Sequence, residues 1–222
     1  RGGSGLAGGA TAAIWRREEA LVASVGGWAR PLGVALRADG LSAVMLLTTA
    51  IVIAAAAPFA RAEFRSRPGR EGRAPLAFWI LLLAVWGALN LVFVGADLFN
   101  LFVALELLTF GAVPMVCLDG SAATLRAALL YLLFTLIGSV LFVLGAALVY
   151  GAYGTLDIAL LAGRVRVEPA ARVAIALMTV GLLTKTALFP LHLWLPAAPA
   201  GAPAAASAVL SALVVKAPLV LV

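Results

Sequence analysis

Four side chains in this 222-residue sequence have the chemistry to take up and release a proton within long apolar stretches: Glu106, Lys185, His192 and Lys216. An ionisable group near the middle of a membrane helix costs at least ~2.5–3.5 kcal/mol on insertion scales, so each is a functional candidate by default. Nine of the ten acidic residues fall in loops or at the ends of apolar blocks, and Glu106 alone lies deep within one. Asp97 precedes it by nine residues, about 13.5 Å of helix rise, which puts Glu106 near the midplane if Asp97 marks the helix end.

The basic residues divide more sharply. Fourteen are arginines outside the depths of the apolar blocks, whereas the only two lysines, Lys185 and Lys216, are both inside them. A desolvated lysine titrates within reach of neutral pH and arginine does not, so a site that must bind and release a proton needs lysine. The plain alternative is a lysine that snorkels to anchor a helix end.

His192, the single histidine, sits in Phe189-Pro190-Leu191-His192-Leu193-Trp194-Leu195-Pro196, seven residues after Lys185. On a continuous helix the two would share a face about 10.5 Å apart. Proline removes a backbone donor and clashes with the preceding turn, and Pro199 and Pro203 follow Pro190 and Pro196. The sequence therefore predicts a helix broken at membrane depth near 189–203, a geometry tolerated where backbone is buried in protein or lines a wet cavity, and where transporters place ion sites. The alternative for His192 is an interfacial residue beside Trp194. A bis-histidine haem site would need a second histidine.

The elements that must carry these residues follow from length. A helix needs about 20 mostly apolar residues to cross a bilayer core, and blocks at 41–60, 76–96, 98–118, 127–150, 173–196 and 202–222 reach that length. Their length and lack of period-2 alternation favour helices over barrel strands. The stretch 5–14 is read as part of a further span, 28–36 as a short interfacial hairpin, and 156–162 as an interfacial helix with Thr155 as N-cap. The loop 61–75, with Arg61, Arg65, Arg67, Arg70 and Arg73, would be cytoplasmic by the positive-inside rule, although Arg16, Arg17, Arg30, Arg37, Arg164 and Arg166 on the opposite side nearly cancel that bias. The chain starts at Arg1 without an initiator methionine and ends at Val222 within an apolar run, so it is expected to be an internal piece of a longer protein.

Composition supports the same class. With 64% hydrophobic residues, 12% charged and a mean hydropathy of +1.11, a water-soluble globule is excluded. The net charge of +6 comes from arginines between apolar blocks and not along one face, which argues against nucleic-acid binding. A lone cysteine, Cys117, allows neither a disulfide nor a cysteine metal site within the chain. The reading is an all-α, multi-pass transmembrane helix bundle, a single domain over 1–222, in the cell (inner) membrane, with no cofactor or metal.

These residues in this order resemble the proton-conducting antiporter-like membrane subunits shared by NADH:quinone oxidoreductase, membrane-bound hydrogenases and multisubunit cation/proton antiporters. The resemblance covers most of the chain. It is carried by Ala38-Asp39-Gly40-Leu41-Ser42-Ala43, by Asp97-Leu98-Phe99-Asn100-Leu101-Phe102 with Glu106, by Gly151 through Asp157, by the stretch from Lys185 to Pro196, and by Ser207 through Lys216. The Asp97 to Phe102 wording and Gly26-Gly27-Trp28 look most like the D subunit of the multisubunit antiporters.

The resemblance implies a fold of two inverted five-helix repeats, of which this chain holds the first, so that an isolated copy would not transport. It also implies that Glu106 pairs with Lys185 and that His192 and Lys216 continue a proton path. Partners would be other membrane subunits and the lipid bilayer, with H⁺ and Na⁺ as candidate ions. Three departures from the family pattern stand out: Ala197 replaces an aspartate, Ala217-Pro218 follows Lys216 in place of glycine, and Leu130 replaces a basic residue before Tyr131.

Three functional readings are open on these grounds. One is a subunit that translocates protons or exchanges cations for protons through buried Glu, Lys and His residues. The second is a structural scaffold subunit of a respiratory or hydrogenase complex without its own ion pathway. The third, a redox or quinone-handling subunit, is disfavoured because paired histidines, multiple cysteines and dinucleotide motifs are lacking.

Overall fold

A computed structural model describes residues 20–25, 33–64, 73–166 and 168–222. Two strands, β1 (Leu21–Val25) and β2 (Val34–Ala38), pair antiparallel with Leu21 opposite Ala38 and Val25 opposite Val34. The hairpin expected at 28–36 thus takes its first strand from further upstream, where Leu21, Val22 and Val25 supply the β-branched and apolar positions. Residues 26–32, including Gly26, Gly27 and Trp28, lie outside the described residues, as does the stretch 5–14.

Helices then dominate: α1 (Gly40–Glu63), α2 (Arg73–Val94), α3 (Leu98–Val116), α4 (Ala122–Tyr153), the short α5 (Ile158–Ala162), α6 (Pro169–Lys185), the short α7 (Ala197–Gly201) and α8 (Ala204–Val209). α8 runs on through a π turn (Leu210–Val214) and a 3-10 turn (Pro218–Leu221). Among the described residues, five helices are long and apolar enough to cross a membrane: α1, α2, α3, α4 and the continuous Ala204–Leu221. α6 has seventeen residues and stops at Lys185.

Polar side chains set the starts. A helix leaves its first four N–H groups unpaired, and an aspartate or serine just ahead of it satisfies some of them. Asp39 accepts from Ser42 N (3.0 Å) and Ser42 Oγ (3.1 Å) at α1, and Asp97 accepts from Phe99 N (2.9 Å) and Asn100 N (3.1 Å) at α3. Ser121 accepts from Thr124 N (3.2 Å) at α4. At α5 the cap is Asp157, which accepts from Leu160 N (3.0 Å), and not the expected Thr155. The Thr155 hydroxyl accepts instead from Asp157 N (3.2 Å), one step before the helix. α4 ends at Gly154, whose φ of 67° is the left-handed conformation that glycine adopts without a Cβ penalty.

Backbone pairing gathers one end of the bundle. Ala96 N donates to Ala35 O (3.3 Å), Leu98 N to Leu156 O (3.0 Å) and Ile158 N to Ala96 O (3.0 Å). The hairpin, the α2–α3 turn and the start of α5 are thereby tied together, and the exposed backbone of each finds a partner. At the other end, the Glu63 carboxylate at the close of α1 accepts from Ala204 N (2.9 Å) and Ala205 N (3.0 Å), capping the last long helix from 141 residues away. The chain between Lys185 and Ala204 therefore reaches from inside the bundle to that second end.

The core is built from α1, α2 and α3 with the later helices, and includes fully buried Phe78, Val85, Leu89, Leu105 and Met115. Large apolar side chains such as Ile51, Leu83, Phe110 and Ile137 are exposed on the outside. Helices apolar all round belong in a membrane or in the interior of a larger assembly.

Candidate functional site

The site begins with two glycines. Gly138 on α4 and Gly181 on α6 lie so close that a Cβ built on Gly138 would sit 2.7 Å from Gly181 O, and one on Gly181 would sit 2.5 Å from Gly138 O. A second contact seven residues earlier in α6 repeats the pattern, where a Cβ on Gly145 would fall 2.6 Å from Ala174 O. Small residues one heptad apart let two helix backbones approach, the usual device for packing helices in membranes. Lys185 lies one turn beyond Gly181, and this crossing presses it against α4.

Glu106 lies nine residues after the Asp97 cap of α3, about 13.5 Å along the helix, and Lys185 ends α6 about 24 Å from its start. Their side chains meet: Lys185 Nζ is 3.0 Å from Glu106 Oε1. The lysine side chain is 4% exposed and the glutamate 18%. Withdrawing such a pair from water costs several kcal/mol per ion unless further hydrogen bonds satisfy the remaining protons and lone pairs. Those bonds are present. Lys185 Nζ also donates to Thr109 Oγ1 (3.2 Å), and the Thr109 hydroxyl donates to Leu105 O (3.0 Å), so Thr109 serves the lysine as an acceptor. The Ser139 hydroxyl hydrogen-bonds the same Glu106 Oε1, and it also lies 2.9 Å from Thr135 O.

The helix does not continue past Lys185. Thr186 N still bonds Leu182 O (2.9 Å), Ala187 adopts φ 53°, and Leu188 N reaches back to Leu183 O (3.1 Å). Residues 188–196 form turns before α7. The interruption starts about three residues ahead of the expected 189–203 interval, for a reason that lies in Pro190. A proline acts four residues upstream, because it offers no N–H to the carbonyl at that position and its ring clashes there. For Pro190 that carbonyl belongs to Thr186.

Trp194 fixes the broken segment. It is 2% exposed, its ring stacks on Tyr131 of α4 at 4.2 Å and 5°, and its Nε1 donates to Thr184 O (3.2 Å). Trp194 is thus a buried anchor of the broken segment. A small cavity of about 10 Å³ for the centre of a water molecule lies beside the pair, lined by Thr109, Tyr131, Thr135 and Lys185 with Val214 and Pro218. That is roughly the space one water requires.

The other two predicted residues stand apart from the ion pair. His192 is half-buried in the broken segment, its ring 5.5 Å from Phe189, and its buried Nδ1 has no hydrogen-bond partner among the described residues. Lys216 is exposed and its Nζ donates to Ser211 O at 2.5 Å. Val214 and Pro218, one turn apart, face the cavity, and Lys216 lies two residues from each, about 200° round the helix at 100° per residue. Among the described residues, neither His192 nor Lys216 hydrogen-bonds Glu106 or Lys185, and no three His, Cys, Asp or Glu side chains converge as a metal site.

Ser139, Thr109 and the two glycines are absent from the residues singled out in the sequence. Thr135 and Ser139, four apart on one face of an otherwise apolar helix, and Thr109, one turn after Glu106, were signals of the same kind as the deep glutamate.

Residues 95–222, more than half the chain, match the family described as NADH:quinone oxidoreductase/Mrp antiporter, TM. Over 199 residues the chain is 35% identical to the D subunit of the Na(+)/H(+) antiporter of Bacillus subtilis (strain 168), covering 87% of this chain and 39% of that protein. Among solved structures, it superposes on a chain of the membrane-bound sulfane sulfur reductase, an archaeal respiratory membrane complex, with a TM-score of 0.89 and 30% identity over 98% of this chain and 44% of the other. The Mrp complex from Dietzia sp. DQ12-45-1b gives a TM-score of 0.83 and 28% identity, over 99% of this chain and 42% of that chain. The chain therefore spans about two fifths of the length of these proteins.

Proposed function

The chain belongs to the NADH:quinone oxidoreductase/Mrp antiporter membrane-subunit family, and from that premise we propose that it is part of a cation/proton antiporter subunit whose central step is proton exchange at Lys185 under the control of Glu106. It is a multi-pass protein of the cell membrane. Residues 1–222 are read as one transmembrane domain, with α6 and the broken segment after it making one of six full spans. Other membrane subunits of the complex are its partners, and H⁺ with Na⁺ its candidate ions.

The observation that carries this reading is the 3.0 Å contact between Lys185 Nζ and Glu106 Oε1 at the end of a helix interrupted inside the bundle. An ammonium in a dry interior is stabilised by a carboxylate beside it, and drawing the carboxylate away favours release of its proton. Any movement transmitted from a neighbouring subunit that separates the pair is then a switch. The proton would pass through water in the broken segment toward His192 and on to Lys216, because these groups lie beyond direct hydrogen-bond reach of Lys185. The unpartnered Nδ1 of His192 is suited to receiving such a water. Lys216, on the outer face of its helix, would pass the proton on to whatever packs against that face in the whole protein.

The test is Glu106→Gln in the native complex, reconstituted in vesicles. The complex is expected to assemble and to lose most of its proton or antiport flux, whereas wild-type flux from an assembled variant would remove Glu106 from the mechanism and favour the scaffold reading.

A further inference from the structure

The Ser139 hydroxyl has one proton and two acceptors. Its oxygen contacts Glu106 Oε1 and lies 2.9 Å from the carbonyl of Thr135, one turn earlier on α4. Thr135 O does not depend on that proton, because the i→i−4 ladder of α4 supplies it with the Ser139 backbone N–H. Glu106 Oε1 is in a different position. It is shared between Ser139 and Lys185, and in the proposed cycle the lysine is the partner that loses a proton.

We propose that Ser139 is a positioning residue for proton exchange, whose hydroxyl turns from the Thr135 carbonyl to Glu106 when Lys185 becomes neutral and so holds the carboxylate ionised and in place until the lysine is reloaded. The inference rests on the assignment of proton exchange to the Glu106–Lys185 pair and adds a third member to it.

The physical need is specific. With Lys185 charged, its ammonium stabilises the carboxylate, and Ser139 is free to bond either acceptor. With Lys185 neutral, a carboxylate left among apolar side chains without a donor bears a large desolvation penalty, and it would either take up a proton itself or swing toward water. Either event ends the cycle. A hydroxyl 2% exposed on a helix clamped by the Gly138–Gly181 crossing cannot leave, so its donor is always within reach. Thr109 is placed differently, since its hydroxyl contacts Leu105 O and the lysine Nζ, whereas the Ser139 hydroxyl contacts the carboxylate itself. Hydrogen bonds to a charged group are among the stronger ones in proteins.

The test uses Ser139→Ala and Ser139→Thr in the native complex, with flux in vesicles normalised to complex content and the Glu106 carboxylate band read by infrared difference spectroscopy, assigned by its loss in Glu106→Gln. Ser139→Ala is expected to assemble, to lower flux by about tenfold or more, in keeping with one hydrogen bond to a charged group, and to move the carboxylate band. Ser139→Thr, which keeps the hydroxyl, is expected to restore both. Wild-type flux and an unmoved band in Ser139→Ala would overturn the inference, and so would a flux loss with an unmoved band, which would reduce Ser139 to packing. Wild-type flux in Glu106→Gln would instead overturn the assignment of the ion pair on which the inference rests, whatever Ser139 does.

Discussion

Gly181 meets Gly138 backbone to backbone, so that a Cβ on Gly181 would lie 2.5 Å from Gly138 O and one on Gly138 2.7 Å from Gly181 O. The contact sets the depth of Lys185, one turn further along α6, against Ser139 and Glu106. The chemistry of the ion pair thus depends on two residues that have no side chain.

Gly181→Ala should force α6 away from α4, because the facing atoms are backbone and cannot rotate aside. The expected cost is that of overpacking, about 1–3 kcal/mol, seen as a lower melting temperature of the purified complex, with flux reduced further than the stability loss explains. Gly151→Ala, at a position with open space around it, is the control and should leave both unchanged.

Trp194 should matter through its ring and its N–H separately. Trp194→Ala removes the stack on Tyr131 and the bond to Thr184 O and should cost about 3–5 kcal/mol, the range for truncating a buried aromatic. Trp194→Phe keeps a ring on Tyr131 and should retain most of that stability. Thermal unfolding of the two variants in detergent separates the contributions, and equal losses would show that the indole N–H dominates.

Much of this arrangement was legible before the fold. Asp39 and Asp97, in motifs quoted for the resemblance, are helix caps, and the apolar blocks are helices because backbone polar groups in lipid must be satisfied internally. The pairing of Glu106 with Lys185, 79 residues apart, came from the resemblance, since no local spacing encodes a contact between two helices. The break was visible in its prolines but displaced, because a proline disrupts the carbonyl four residues before it. Ser139 and Thr109 stood out only as hydroxyls in apolar helices, and their partners, like the glycine crossing, stayed hidden because they depend on which helix lies opposite.

Asp39 offers a test at the surface end. The hydrogen bond from the Ser42 backbone N–H holds its carboxyl below the ordinary aspartate value against the opposing effect of burial, helped by the Ser42 hydroxyl and the charge of Arg37. A group with a depressed value in the folded state stabilises the fold above its unfolded pKa and loses that contribution as pH falls through the folded one. Asp39→Ala should therefore lower stability by about 1 kcal/mol at neutral pH, as for loss of an N-cap. The difference from wild type should shrink as pH drops below ~4, which melting curves between neutral and acidic pH will record.

The central claim is that Lys185 releases its proton in every cycle. If it only held Glu106 by charge, Lys185→Arg would preserve the pair, since arginine is an equal or better partner for a carboxylate. An arginine keeps its proton through any shift a protein imposes. The decisive measurement is proton or cation flux in vesicles for Lys185→Arg, normalised to complex content. The account predicts normal assembly with flux lost as severely as in Lys185→Ala, and near-normal flux from the arginine variant would contradict it by showing that a fixed positive charge suffices.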